Sequence, residues 1–142
     1  MILGGVEIPF DRGLAGHSDA DVLVHAVCDA LLGALALGDL GTHFPDTSEQ
    51  WAGADSLHLL EEVIARVGAE GYRVANIDVT VVLQQPRLSP YISSMRDNLA
   101  ETMDTSRSAV SVKATTSEQL GFVGQERGVA AHAVCALHSE SR

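Results

Sequence analysis

Basic side chains are scarce in this chain: 9 Lys+Arg stand against 19 Asp+Glu, a formal net charge of -10 over 142 residues. That balance argues against nonspecific binding to nucleic acid or to an anionic membrane. It also constrains any phosphate-bearing ligand, whose charge would have to be met by cations, hydroxyls and backbone donors. Cysteine is nearly absent: Cys28 and Cys135 form no disulfide framework and read as small core residues in a reduced, cytoplasmic setting. Aromatics make up 4%, so Trp51 and Tyr91 read as isolated core or interface residues, not as stacking platforms. Long hydrophobic runs are missing as well. The nearest, Ala30 to Leu37, is interrupted by Gly33 and ends at Gly38-Asp39, too short to cross a bilayer. Met1 to Val6 carries no basic leader or cleavage region, so no signal peptide is expected, and a plastid setting stays open.

What is present is enough for one domain with a real core, taken here as residues 1–142. Residues 2–8 read as a short strand closed by Pro9 and a turn through Asp11, Arg12 and Gly13. Ser18 and Asp21 resemble a capping arrangement for a helix over Asp19 to Leu37, with Gly38 as its stop. Asp39 to Gly53 reads as a loop. An amphipathic helix then opens at Asp55 or Ser56, with Leu57, Leu60, Val63, Ile64 and Val67 at core spacing and Gly71 beyond its end. Arg73 to Leu83 alternates as a strand, and Gln84 to Leu88 turns at Pro86. Ser89-Pro90 supplies an N-cap and first-turn proline for a helix through about Met103. Val110 to Thr115 and Gly128 to His138 read as two more strands. The pattern is an α/β (α+β) layered domain, and the element count fits a ferredoxin-like sheet with helices on one face.

Three constellations could carry chemistry. Asp21, His25 and Asp29 lie at i, i+4, i+8 on one face of the first helix, with His17 one turn upstream. Two carboxylates and an imidazole on an otherwise apolar helix suit a divalent cation, or else a helix cap with a satisfied polar network. Spacing leaves both open. The second is Asp39 to Ser48, where an Asp past a helix end and Gly41 could hold a polyol, or simply make a turn. The third is Val112 to Phe122, in which Thr115, Thr116 and Ser117 follow a strand. Its hydroxyls and backbone N–H groups could grip phosphate, with Glu118 holding a hard cation, or form an ordinary cap. The stretch is not a Walker loop, for it lacks the Gly-rich run and the Gly-Lys-Ser/Thr ending. His58 sits among solvent-facing Glu61 and Glu62, and His132 and His138 alternate along the last strand, all three read as structural or exposed.

Three segments together resemble the 2-C-methyl-D-erythritol 2,4-cyclodiphosphate synthase family of the non-mevalonate isoprenoid pathway. They are Gly16-His17-Ser18-Asp19-Ala20-Asp21-Val22 with His25, Gly38-Asp39-Leu40-Gly41 with Phe44-Pro45-Asp46-Thr47, and Lys113 to Glu118 with Leu120-Gly121-Phe122. They occur in order, with compatible spacing, over essentially the whole length.

The resemblance implies a homotrimer of small α/β domains with active sites between subunits. It implies cyclisation of 4-diphosphocytidyl-2-C-methyl-D-erythritol 2-phosphate with release of CMP, a phosphorus-oxygen lyase reaction. By the same carry-over His25 is a zinc ligand, and His17 and Thr116 stabilise the transition state. Ser18 contacts the substrate, as do Phe44, Pro45, Asp46, Thr47 and Ser48 around the methylerythritol part. Asp39, Leu40 and Gly41 bind the ribose, and Leu83, Gln84, Gln85, Pro86, Arg87, Leu88 and Ser89 the cytosine. Thr115, Thr116, Ser117 and Glu118 bind the phosphates, Glu118 also serving Mg²⁺ or Mn²⁺, and Phe122 lines the site. Asp21 and Asp29 become structural partners of the metal and catalytic groups.

Two departures accompany the resemblance. Family members begin with a strand whose Asp-x-His pair completes the zinc site, and this segment is not in the sequence given. With His25 alone, zinc binding is expected to be weak or absent in the chain as given. Gly124-Gln125-Glu126-Arg127-Gly128 stands where the family has Gly-Arg-Gly-Glu-Gly, putting Gln125 at the phosphate-facing Arg. Two other readings remain: a catalytically silent trimeric ligand-binding module, and a metal-dependent phosphohydrolase. No Ser/His/Asp triad or activated Cys suggests covalent catalysis.

Overall fold

A computed structural model describes residues 1–10, 21–45, 55–125 and 128–140. The chain opens with a hairpin of β1 (Ile2–Leu3) and β2 (Val6–Glu7), antiparallel, with Leu3 opposite Val6. The expected single strand over 2–8 is therefore two short ones. Gly4 and Gly5 have φ of 57° and 73°, and two successive left-handed residues form the tight turn that a right-twisted hairpin favours.

Helix α1 (Val22–Ala34) is capped by Asp21, whose side chain accepts from the Val24 amide. It is shorter than the expected 19–37. Its carboxyl end closes where Leu37 N–H donates back to Leu32 O at 2.9 Å and Ala36 turns left-handed at φ 55°. Leu23, Val24, Val27, Cys28, Leu31 and Leu32 are buried, so most of the helix circumference lies in the core. The expected loop after it holds a single helical turn, α2 (Leu40–His43), capped by Asp39. Helix α3 (Ser56–Ala69) is capped by Asp55 and buries Leu59, Leu60, Val63 and Val67.

Strand β3 (Tyr72–Val82), helix α4 (Ile92–Met103) and strand β4 (Val110–Thr115) form a β-α-β unit with the strands parallel. Ser89–Tyr91 is a 3-10 turn preceding α4, so Ser89-Pro90 starts that turn, not the α-helix itself. A second helical turn, α5 (Gly121–Gly124), leads toward β5 (Ala130–Ser139), which pairs antiparallel with β3. The main sheet among the described residues has three strands in the order β4-β3-β5.

One face of this sheet is covered. Ile77, Val79 and Val81 of β3 are buried with Val110 and Val112 of β4, and Ala133, Cys135 and Leu137 of β5 pack against the same core. Helices α1, α3 and α4 lie on these strands. Each fully buried Leu or Val contributes about 1.5–3 kcal/mol, which outweighs the weak intrinsic preference of such short elements. The opposite face carries Asp78, Thr80, Lys113, His132 and Val134, with Val134 72% exposed. There Lys113 Nζ donates to Asp78 Oδ2 at 3.0 Å, and this bond holds the Asp78 carboxyl below its ordinary range. The architecture is thus mixed α/β with helices on one side of the sheet.

Candidate active site

Parallel strands leave their carboxyl ends on the same edge of a sheet, and a crevice there is where α/β domains bind ligands. Here β3 runs out through Leu83 and β4 through Thr115, tied by Leu83 N–H donating to Thr115 O at 3.0 Å. The two loops that follow enclose a cavity of about 330 Å³ lined by Leu83, Gln84, Gln85, Pro86, Arg87, Leu88, Ser89, Thr115 and Thr116. Ile92, Val112 and Ala114 complete its lining, and of these Ile92 lies outside the three constellations. Leu83 and Leu88 are buried, and Arg87 Nε donates to Ser89 Oγ at 3.2 Å. The wall is mainly apolar with a few hydroxyl and amide groups, which suits a flat heterocycle at one end and phosphate oxygens at the other.

The hydroxyl segment is turned tightly on itself. Glu118 N–H donates to Thr116 Oγ1 at 3.2 Å, and Ser117 Oγ–H donates to Leu120 O at 2.8 Å. Gln119 N–H donates to Gln84 Oε1 at 3.2 Å. The backbone amides of Glu118 and Gln119, expected to be open for phosphate, are thus engaged within the protein. Glu118 is exposed, and no ion pair engages its carboxylate among the described residues. Phe122 is 59% exposed and Gln125 is exposed, both on or next to α5.

A second group surrounds α2. Asp39 Oδ1 accepts from Thr42 N–H at 2.9 Å and from Thr42 Oγ1 at 2.7 Å, and the Thr42 side-chain bond is the main reason its carboxyl sits below the usual range. Asp29 Oδ1 accepts from Leu40 N–H at 2.7 Å, fixing α2 to α1. Phe44 is buried, with the Arg66 guanidinium 4.6 Å above its ring centre. His43 faces Leu37 O with Nε2 at 2.7 Å and Arg66 Nη1 with Nδ1 at 2.6 Å. A carbonyl only accepts and a guanidinium only donates, so these partners assign the Nε2–H tautomer. Gly41 and Pro45 lie exposed on this segment. Arg66 lies outside the three constellations, because nothing in α3's pattern links it to Phe44.

His25 is half-buried on the first turns of α1. Among the described residues no group of three or more His, Cys, Asp and Glu is placed to hold a metal ion, so these residues do not fit a zinc centre by themselves. A single exposed carboxylate such as Glu118 does fit Mg²⁺ or Mn²⁺, which keeps several waters and completes its shell with substrate phosphates. Of the residues expected in the site, His17, Ser18, Asp46, Thr47 and Ser48 lie outside the described residues. Asp21 is fully buried and accepts from Gly4 N–H, Gly5 N–H, Val24 N–H and Ser56 Oγ–H at 2.8–3.1 Å, a structural role. A larger depression of about 490 Å³ between α3 and α4, lined by Asp55, His58, Glu61 and Glu101 among others, contains none of the expected residues.

The chain belongs to the YgbB family, whose model matches residues 1–138. Its relatives are 2-C-methyl-D-erythritol 2,4-cyclodiphosphate synthases. The synthase of Salinibacter ruber is 60% identical over 139 residues, 98% of this chain and 88% of that protein. The bifunctional IspDF of Campylobacter jejuni superposes with a TM-score of 0.93 at 40% identity, covering 100% of this chain, which spans 39% of that longer one. A solved 2C-methyl-D-erythritol-2,4-cyclodiphosphate synthase in a CDP-bound form superposes with a TM-score of 0.90 at 35% identity, over 97% of this chain and 89% of that one.

Proposed function

We propose that this chain is a 2-C-methyl-D-erythritol 2,4-cyclodiphosphate synthase, acting on 4-diphosphocytidyl-2-C-methyl-D-erythritol 2-phosphate in isoprenoid precursor synthesis. The observation that carries the reading is the cavity at the carboxyl ends of β3 and β4, in a chain whose relatives bear that name. Leu83 to Ser89 take the cytosine, and Thr115, Thr116, Ser117 and Glu118 take the phosphates. Asp39, Leu40 and Gly41 hold the ribose, and Phe44 to Ser48 hold the methylerythritol part with Ser18. Phe122 and Gln125 close the phosphate side.

An oxygen of the 2-phosphate attacks the β-phosphorus, the bond from that phosphorus to the bridging oxygen breaks, and CMP leaves with the bridging oxygen. No protein nucleophile is needed. The chain's task is to align two phosphates that repel each other, since positioning and charge stabilisation dominate phosphoryl transfer. Thr116, whose Oγ1 accepts from the Glu118 amide, keeps its own hydroxyl proton for a phosphate oxygen. His17 serves the transition state. A Mg²⁺ or Mn²⁺ ion on Glu118 would neutralise the developing charge. In this proposal His25 would be one ligand of a zinc ion.

The finer architecture proposed is a ferredoxin-like layered sheet assembled as a homotrimer in the cytoplasm, with subunits meeting on the uncovered sheet face around Val134. That face leaves Val134 72% exposed, which supports the assembly. No helix among the described residues is long and apolar enough to cross a membrane. The test is CMP release from the substrate with Zn²⁺ and Mg²⁺ supplied, using this chain and a form extended upstream through an Asp-x-His segment. Turnover to the cyclic diphosphate by the extended form is expected. CDP binding without turnover would make the protein a silent binding module, and linear products would make it a hydrolase.

A further inference from the structure

We propose that Gln84 is a positioning residue: its side-chain carbonyl holds the left-handed Glu118–Gln119 turn and couples the loop lining the cavity to the loop that takes phosphate. What the two loops bind rests on the synthase reading above; how they are joined does not.

Glu118 and Gln119 are consecutive non-glycine residues at φ 55° and 64°. A Cβ makes this conformation costly, and two in a row persist only where the surroundings over-determine them. Several restraints do so here, among them Leu120 N–H closing the turn on Ser117 O at 3.0 Å and Ser117 Oγ–H donating to Leu120 O at 2.8 Å. Glu118 N–H is held by Thr116 Oγ1 at 3.2 Å. Gly124 presses on the Gln119 backbone so closely that a Cβ added to Gly124 would collide with the Gln119 carbonyl carbon. Gln119 N–H is held by Gln84 Oε1 at 3.2 Å.

The restraints other than the Gln84 bond lie within residues 116–124 and would travel with that segment. Among the described residues the Gln84 bond reaches it from elsewhere, across 35 positions of sequence. Gln84 itself follows Leu83, whose amide is bonded to Thr115 O, so its backbone is anchored to the end of β4. Its side chain lines the cavity with Gln85 and Arg87. A ligand that settles the 83–89 loop therefore also settles the amide next to Glu118. Loss of the Gln84 acceptor frees the turn, and Glu118 loses its fixed direction toward the phosphate end. The ligand class that would sense this is a nucleoside diphosphate, which reaches both ends, while a nucleoside reaches only one.

The test compares wild type, Gln84→Met, which removes the acceptor at similar size, and Gln84→Glu, which keeps one. Amide exchange at Gln119, read by NMR without ligand, should quicken several-fold in Gln84→Met and stay near wild type in Gln84→Glu. Affinities for CDP and cytidine are then measured with Mg²⁺. The preference of wild type for CDP over cytidine should fall about five- to tenfold in Gln84→Met, the size expected for one lost hydrogen bond. Unchanged exchange at Gln119 would overturn the proposal. So would equal weakening of both ligands, which is what loss of a simple base contact gives. If wild type binds neither ligand, the synthase reading fails and the exchange comparison alone decides the coupling.

Discussion

Ser56 donates its hydroxyl to Asp21 Oδ2 at 3.1 Å, joining the first residue of α3 to the cap of α1 inside the core. The same carboxylate takes the Gly4 and Gly5 amides of the hairpin turn at 3.0 and 2.8 Å. Asp21→Ala strands these donors together with the Val24 amide. Several buried donors without an acceptor should cost about 3–5 kcal/mol, read as a lower urea midpoint. Asp21→Asn keeps one oxygen acceptor and should lose less. A loss under about 1 kcal/mol for the alanine variant would mean water replaces the carboxylate.

Arg66 links α3 to the segment proposed to grip substrate, through His43 and the Phe44 ring. Arg66→Met removes a cation over an aromatic face and a hydrogen bond, together worth about 1–2 kcal/mol of stability. KM for substrate should rise more than kcat falls, because the residue orders a binding segment and touches no reacting atom. Arg66→Lys should behave like the Met variant, since an ammonium lacks the planar fork that meets both partners. Equal kinetics for wild type and Arg66→Met would detach this network from binding.

Asp39 is held ionised chiefly by the Thr42 hydroxyl and then by the Thr42 amide. A carboxyl depressed in the folded protein supports the structure above its ordinary range. That support is lost as pH falls through the depressed value. In Thr42→Val the hydroxyl is gone and the amide remains, so the Asp39 titration followed by carboxyl NMR should move part of the way back up. No movement would assign the depression to another group.

His25→Ala should lower bound zinc per subunit in a form extended upstream through an Asp-x-His segment, measured by elemental analysis. Zinc content unchanged by the substitution would place the metal elsewhere.

Much of this was legible in the chain, and the exceptions have physical causes. Periodicity located α3 and β3 nearly to the residue, because Leu60, Val63 and Val67 on one, and Ile77, Val79 and Val81 on the other, face one core. The hairpin departs from the single strand expected over 2–8, although Gly4-Gly5 between apolar residues is a turn signal. Asp39 with Thr42 three residues on likewise announces α2, a turn too short for periodicity to register. The contiguity of Leu83–Ser89 with Thr115–Thr116 could not be read from spacing, since it arises from parallel pairing across α4. The left-handed Glu118–Gln119 turn had no local signal at all. Neither residue favours it, and it is held by Thr116, by the Ser117–Leu120 bonds, by Gly124 and, from a distance in sequence, by Gln84.

The parallel ladder of β3 and β4 runs from Ile77 opposite Val110 to Val82 opposite Thr115 without a register shift. Neighbouring strands lie about 4.8 Å apart, so the gauge of the crevice beyond their ends is set by the sheet and not by the loops. Lengthening 84–89 would deepen the crevice but leave its width unchanged. On the proposed synthase reading, variation in those loops would therefore retune which heterocycle is accepted while the spacing between base and phosphate ends stays constant.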